Sequence, residues 1–239
     1  MSLEELEALL LVQERDTALD RLRHRRAALP ERGELEARTA ELATKRNQRG
    51  AVGAEREKVH AEERRLDDET RSITSHIEEV DAKLYSGTVS SPRELQAMQA
   101  DIEMLKRQRS DLEDEELEVM ERREALDGQL GALDAEIGAL EATVEALRAT
   151  IAANEAEIDT AIAEEQAARD GLAAPIADGL LRDYEKRRAQ NKGAGAARLQ
   201  GTTCQACHLT IPSTEAEQIR RDAGATISYC DNCSAILVP

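Results

Sequence analysis

The chain has 239 residues, with 49 acidic side chains, 32 basic side chains and a formal net charge of −17. It contains three tyrosines but no Phe or Trp, which argues against a single large globular core, because such cores depend on aromatic bulk. The acidic charge argues against broad, sequence-independent binding of nucleic acid by the whole chain. Apolar residues make up 41% of the chain and recur at regular spacing, which is typical of long helices and coiled coils.

The first predicted helical stretch has apolar residues spaced by seven, namely Val52, Val59, Leu66, Ile73 and Val80. A seven-residue apolar repeat indicates a coiled-coil seam. Pro30 and Gly33 lie within the same stretch, nearer its start. Because proline lacks a backbone N–H and clashes with the preceding turn, the sequence predicts a kink or break near residues 29–33.

Residues 85–91 are predicted to form the reversal between this stretch and a second one. Gly87 can adopt the left-handed conformation that ends a helix. Ser91 suits the N-cap of the following helix, and Pro92 suits its first turn. Because the connection is short, we expect the two helices to lie antiparallel.

The second stretch, residues 92–170, has the clearest pattern. With Leu95 at position a and Met98 at position d, sixteen of the twenty core positions over ten heptads are apolar. An unbroken repeat of this length predicts a left-handed supercoil.

The expected register follows from counting outward from the reversal. It places Leu66 opposite Arg109 and Val59 opposite Glu116. Long charged side chains can extend their ends toward water, but layers of this kind are weaker than layers of two leucines. The middle of the hairpin is therefore predicted to be half polar.

All four cysteines lie near the end of the chain in two C-x₂-C pairs, Cys204 with Cys207 and Cys230 with Cys233. Four thiolates can close a tetrahedral shell around zinc. Each pair sits at a reversal between candidate strands, which predicts a zinc ribbon with one structural Zn²⁺ per chain. A unit of roughly 45 residues with so little aromatic bulk needs the metal for its folding free energy.

Three other interpretations of the cysteines stay open. Cys204-Gln-Ala-Cys207-His208 matches the pattern for c-type haem attachment, although that use leaves the second pair unexplained. A dithiol redox pair is expected at a helix N-terminus in a βαβ context, which the pattern does not predict here. Iron can also occupy a four-thiolate site. In the zinc interpretation His208 is a neighbour of the site rather than a fifth ligand, and four thiolates leave no position for a catalytic water.

These observations predict a mainly α fold: a long antiparallel coiled-coil helical hairpin followed by a small β-rich C4 zinc ribbon. We expect the hairpin to span residues 1–171, with its apex at about 85–91. A linker helix and turn are expected at 172–195, because Gly171 and Pro175 end the repeat and a short amphipathic pattern follows. The zinc ribbon is expected at 196–239.

Two segments resemble a bacterial family in which a coiled-coil hairpin precedes a C-terminal four-cysteine zinc ribbon. One is the apex, residues 84–103; the other runs from 184–188 through 201–212 to 229–237. Known members include a flagellar-biogenesis regulator and a sigma-factor-binding adaptor linked to type III secretion. The resemblance implies a metal role for the four cysteines, and a partner that is a sigma factor, a secretion component or messenger RNA. The chain departs from the family pattern at Ser91 and Arg93, and at Ser234-Ala235 after the second cysteine pair.

No nucleotide-binding, metalloprotease or nucleophile-elbow motif is present, so we expect a non-catalytic adaptor or regulatory protein that presents its zinc ribbon to a protein partner. The alternative is an RNA- or DNA-binding regulator that uses residues 182–198, which carry six basic and two acidic side chains, together with the ribbon. Tyr184, within this segment, and Tyr229, in the ribbon, could stack on bases. The candidate contact residues for a partner or nucleic acid are Arg182, Lys186, Arg187, Arg188, Lys192, Arg198, Tyr184 and Tyr229.

The expected location is the cytoplasm. The chain has no apolar run long enough to span a membrane and does not begin like a signal peptide. The hairpin satisfies its own seam, so a monomer or a weak homodimer is expected.

Overall fold

The structure, a computed structural model, describes residues 2–239. In chain order the elements of this region are α1 (Leu3–Ala27), α2 (Pro30–Tyr85), α3 (Pro92–Ala173), α4 (Asp178–Gln190), β1 (Ala196–Gln200), β2 (Thr203–Cys204), α5 (Ser213–Arg221), β3 (Ser228–Tyr229) and β4 (Ile236–Val238). The predicted fold class is confirmed, since a long helical hairpin precedes a small strand-rich region. Within the described region, no helix contains a stretch apolar enough to cross a bilayer.

The predicted interruption of the first helical stretch lies at residues 28–29. The Ala28 N–H donates to the carbonyl of His24 at 2.9 Å, which closes the last turn of α1. Pro30 is then the first residue of α2, where its missing N–H leaves no helical hydrogen bond unmade. Leu29, the last residue before α2, is buried.

The reversal has the geometry that the sequence predicts. α2 ends at Tyr85, and Gly87 has a left-handed φ of 73°. α3 begins at Pro92, and the Leu95 N–H donates to the carbonyl of Ser91 at 3.1 Å. Tyr85 is 79% exposed at this turn.

The chain divides into two compact units, and the first, Glu34–Ala146, consists of the hairpin around the reversal. We call it the hairpin unit. Its buried centre contains Val59, Leu66 and Val119, with Leu112 and Leu126 packed against them. The predicted layers of Leu66 with Arg109 and Val59 with Glu116 are therefore wrong.

The true register is displaced by about one heptad from the predicted one, as ion pairs across the hairpin show. Arg56 pairs with Asp127 at 3.0 Å, and Arg49 pairs with Asp134 at 2.8 Å. A slip of one heptad leaves every a and d residue in the seam, so the apolar pattern alone does not distinguish the two registers.

The second compact unit joins residues up to Gly33 with Leu147–Pro239, and we call it the base unit. Its four strands form one sheet in the order β2-β1-β4-β3. β1 runs parallel to β4, whereas β2 and β3 pair with their neighbours in antiparallel fashion. The sheet therefore brings the two cysteine pairs, which lie at its two outer strands, into one small unit.

The two faces of this sheet pack against different parts of the base unit. Ala196, Ile236 and Val238 face α1 and α4, and they share a core with Leu9 and Tyr184. The alternate residues face α5 and the cysteines; they are Ala197, Leu199 and Leu237. The alternation follows from the two-residue period of a strand. The ribbon thus shares its core with the first helix of the chain.

Candidate metal centre

Two knuckles of similar backbone geometry position the four cysteines. In the first, the Cys204 N–H donates to the Leu209 carbonyl at 3.1 Å, and the His208 N–H donates to the Cys204 carbonyl at 2.8 Å. In the second, Cys230 and Ala235 form the equivalent bond at 2.9 Å, and the Ser234 N–H donates to the Cys230 carbonyl at 2.7 Å.

Both knuckles also use a left-handed residue at the same position. His208 and Ser234, each four residues after the first cysteine of its pair, have φ values of 59° and 60°. This conformation turns the chain back over the cysteines and is uncommon for residues other than glycine. His208 is exposed and serves the turn of the knuckle.

The four sulfur atoms form a cluster of the size that zinc requires. All four Sγ atoms lie within 4.8 Å of one another. The Sγ atoms of Cys204 and Cys233 are 3.8 Å apart, and those of Cys207 and Cys230 are 3.7 Å apart. A tetrahedron with Zn–S bonds of about 2.3 Å has edges of about 3.8 Å, so the thiols fit one zinc ion, and they are too far apart for disulfides.

The pKa values of three of the thiols are shifted in different directions by their surroundings. The backbone N–H of Leu209 points at Cys207 and lowers the pKa of that thiol to about 7. Burial raises the pKa of Cys233 to about 12, and burial also raises the pKa of Cys204. A bound zinc ion reverses the effect of burial, because a coordinated thiol loses its proton. A filled four-thiolate shell leaves no position for water, so the ion has a structural role.

Comparison with known families agrees with this geometry. Residues 12–192 match the CT398-like coiled coil hairpin domain, and residues 203–237 match the C4-type zinc ribbon domain. The chain belongs to the CT398-like coiled-coil hairpin family. The resemblance inferred from the apex and the cysteine pairs is thereby confirmed, as is one structural zinc as the cofactor.

Relatives of this CT398-like chain are bacterial. An uncharacterised protein of Mycobacterium tuberculosis is 32% identical over 231 residues, covering 97% of this chain and 94% of the relative. A solved structure from Mycobacterium smegmatis has a TM-score of 0.85 and 29% identity, and the match covers 100% of this chain and 99% of that one. The structure of CT398 from Chlamydia trachomatis, with a TM-score of 0.68 and 19% identity, has the same fold over 98% of this chain and 96% of its own.

α4 supports the second knuckle of this CT398-like chain through Arg187. The guanidinium donates to the Ser234 carbonyl at 2.9 Å and lies 3.6 Å from the centroid of the Tyr229 ring. The Tyr229 hydroxyl donates to Asp183 at 3.0 Å, and Arg187 pairs with the same carboxylate. Arg187 and Tyr229, both predicted as partner contacts, are therefore engaged inside the base unit.

A buried polar network links α4 to α1 and α3. The Tyr184 hydroxyl donates to the Asp16 carboxylate at 2.6 Å, and Asp16 is 4% exposed. Arg169 and Arg188 approach the same carboxylate at 3.4 and 3.6 Å. Burial and the adjacent carboxylate raise the pKa of Tyr184 far above its usual range. The network joins three helices in the base unit.

This network corrects one sequence expectation and adds a residue that the sequence analysis missed. Tyr184 is 0% exposed, so it is not available to stack on a base. Asp16 was missed, although it stands in the buried seam of α1 between Val12 and Leu19, where an apolar residue is expected. A charged residue in an apolar seam is the signal that could have revealed it.

The other predicted contact residues divide into two groups. Arg188 is held inside the base unit, since it also pairs with Asp20 at 2.5 Å. The remaining four side chains are exposed: Arg182, Lys186, Lys192 and Arg198. Of these four, Lys192 has a left-handed φ of 47° in the turn after α4.

Proposed function

We propose that the chain is a non-catalytic adaptor that presents its zinc ribbon to a protein partner. The observation that carries this proposal is Leu209, which follows the first cysteine pair and is 51% exposed. Its backbone is fixed from both sides, because its N–H points at Cys207 and its carbonyl accepts from Cys204. An exposed apolar side chain on a rigid backbone can bind a partner with little loss of conformational entropy.

The non-catalytic part of the proposal rests on the metal site and the family. Four thiolates complete the zinc shell and leave the ion unable to activate a water molecule. Coiled-coil hairpins and zinc ribbons are interaction modules, and the matched curated relatives are themselves uncharacterised. We therefore expect the partner to bind the surface of the ribbon, and we expect no reaction at the zinc ion.

The proposal is tested by affinity capture from a lysate of the source bacterium, with mass spectrometry as the readout. Leu209→Asp should lose the captured protein, while zinc content and helical content stay unchanged. The matched control is Leu117→Asp, since Leu117 is 58% exposed on α3 and lies outside the ribbon. The control should retain the protein. Full capture by Leu209→Asp would contradict the proposed role of the first knuckle.

Nucleic acid remains the second candidate partner, supported by the exposed basic side chains of residues 182–198. The same capture is therefore run with and without nuclease, and RNA is sequenced. Phosphate contacts are strongly weakened by salt, whereas an apolar contact at Leu209 is not. Capture that disappears with nuclease or at moderate salt would favour this second candidate.

A further inference from the structure

A basic groove lies in the base unit between α1 and the turn that follows α4. Its volume is about 610 Å³, within the range of about 300–1,000 Å³ that is usual for binding sites. Three cationic side chains line it, Arg21 and Arg25 from α1 and Lys192 from the turn, and His24 lies between the two arginines. All four side chains are exposed.

None of the three cations has a carboxylate partner among the residues that the structure describes, although other arginines in this part of the chain do. Arg15, Arg26 and Arg32 each pair with an acidic residue of α3. Acidic side chains outnumber basic ones by 49 to 32, so partners are abundant. The one carboxylate among the described lining residues, Asp20, is already neutralised by Arg188 at 2.5 Å. The groove therefore carries a net positive charge that the rest of the base unit leaves uncompensated.

The walls of the groove are held in place by Gln13. Its side-chain amide donates to the Gly193 carbonyl at 2.7 Å and accepts from the Gly195 N–H at 2.7 Å. Gly193 has a φ of 100°, and a Cβ there would lie 3.3 Å from a carboxylate oxygen of Asp20. These contacts fix the turn against α1, so the groove exists before any ligand binds.

The dimensions of the groove fit a short stretch of extended chain. Gln13, Thr17, Arg21 and Arg25 are spaced by four along one face of α1. Twelve residues of helix are about 18 Å long. An extended peptide covers this distance with about five or six residues.

We infer that this groove binds a short acidic segment of a partner protein. Charge complementarity favours an anionic ligand, and two observations favour a peptide over a nucleic acid. The tyrosines of the base unit offer little surface for stacking, because Tyr184 is buried and Tyr229 is partly buried against the core with Arg187 over one face of its ring. The chain has a net charge of −17, so it repels a long polyanion that extends beyond the groove. A short acidic segment places its negative charge only beside the basic side chains of the groove.

The test uses a fluorescein-labelled peptide of about six residues in which glutamate and leucine alternate. Its binding is measured by fluorescence anisotropy at low salt. The zinc-loaded full chain should bind it more tightly than the same peptide with glutamine in place of glutamate. The double variant Arg21→Glu with Arg25→Glu should weaken binding by at least about tenfold, because two attractive contacts become repulsive.

The matched control is the double variant Arg182→Glu with Lys186→Glu. It changes the net charge by the same amount, but its two sites lie on α4 and do not line the groove. It should bind the acidic peptide nearly as well as the parent chain. Amide resonances of Lys192 and Gly193 should shift on titration with the acidic peptide and stay in place with the glutamine peptide.

Three results would overturn the inference. They are equal affinity for the acidic and glutamine peptides, equal loss of binding in the two double variants, and tighter groove-dependent binding of a single-stranded oligonucleotide of the same charge. The inference goes beyond the adaptor function and can fail separately from it. Leu209→Asp should keep peptide binding, and the groove variant should keep the ribbon and its zinc.

Discussion

Replacing Asp16 with alanine should destabilise the base unit, because the carboxylate is the centre of its buried polar network. Asp16 is 4% exposed and accepts a hydrogen bond of 2.6 Å from Tyr184. Removing one member of a buried charge network costs about 3–5 kcal/mol. Arg169 and Arg188 each keep a second carboxylate partner, at 2.9 and 2.5 Å, so the expected loss is about 3 kcal/mol.

Tyr184→Phe isolates one part of this effect. It removes the hydroxyl but keeps the ring in the core, and a hydrogen bond to a charged acceptor contributes about 1.5–3 kcal/mol. Because the two side chains form one interaction, the double variant should cost less than the sum of the single variants. The coupling energy from this cycle measures the hydrogen bond itself.

Urea unfolding of the cobalt-substituted chain provides the assay, since the thiolate-to-metal absorbance reports only on the base unit. The control is Asp170→Ala, which removes an exposed carboxylate 3.5 Å from Arg169 and should change stability by less than about 0.5 kcal/mol. An Asp16→Ala variant as stable as this control would refute the reasoning, as would full additivity in the cycle with Tyr184→Phe.

Three further predictions concern the metal and the hairpin. Elemental analysis should give about one zinc per chain, and Cys204→Ser should lose most of it, because three thiolates and a hydroxyl bind zinc weakly. Zinc binding should release more protons at about pH 6 than at about pH 8, because the Cys207 thiol has a pKa of about 7 and is already ionised at the higher pH. Calorimetry in two buffers of different ionisation enthalpy measures the number of protons released. In the hairpin unit, Leu66→Ala should cost about 2–5 kcal/mol, whereas Arg56→Ala should leave thermal unfolding by circular dichroism nearly unchanged.

The sequence predicts most of the fold because its two strongest signals are local. The heptad repeat identifies the helices of the hairpin, and the spacing of Cys204, Cys207, Cys230 and Cys233 identifies the metal site. The register between the helices is not local. The apolar repeat fits several heptad alignments equally well, and the alignment that the helices adopt is visible only in cross-hairpin contacts such as Arg56 with Asp127 and Arg49 with Asp134.

The roles of single polar residues in the candidate site were harder to predict. Tyr184 lies in a basic segment, and the composition of that segment suggests that the tyrosine is an exposed contact residue. Its burial depends on α1, which lies more than 150 residues earlier in the chain yet supplies Asp16 as a hydrogen-bond acceptor. The same helix supplies the wall of the basic groove, where Arg21 and Arg25 meet Lys192. Such long-range juxtapositions follow from the fold and not from any short motif.

The shared core explains why the zinc ribbon should be considered together with the start of the chain. The domain boundary that the sequence predicts at residue 196 would separate Ala196, Ile236 and Val238 from Leu9. These four side chains nevertheless pack in one buried cluster. The ribbon's own cluster covers only the other face of the sheet. Zinc orders the knuckles, but α1 and α4 bury the face of the sheet from which the knuckles extend. A partner that binds at Leu209 and an acidic segment that binds beside Lys192 would therefore contact one continuously packed unit.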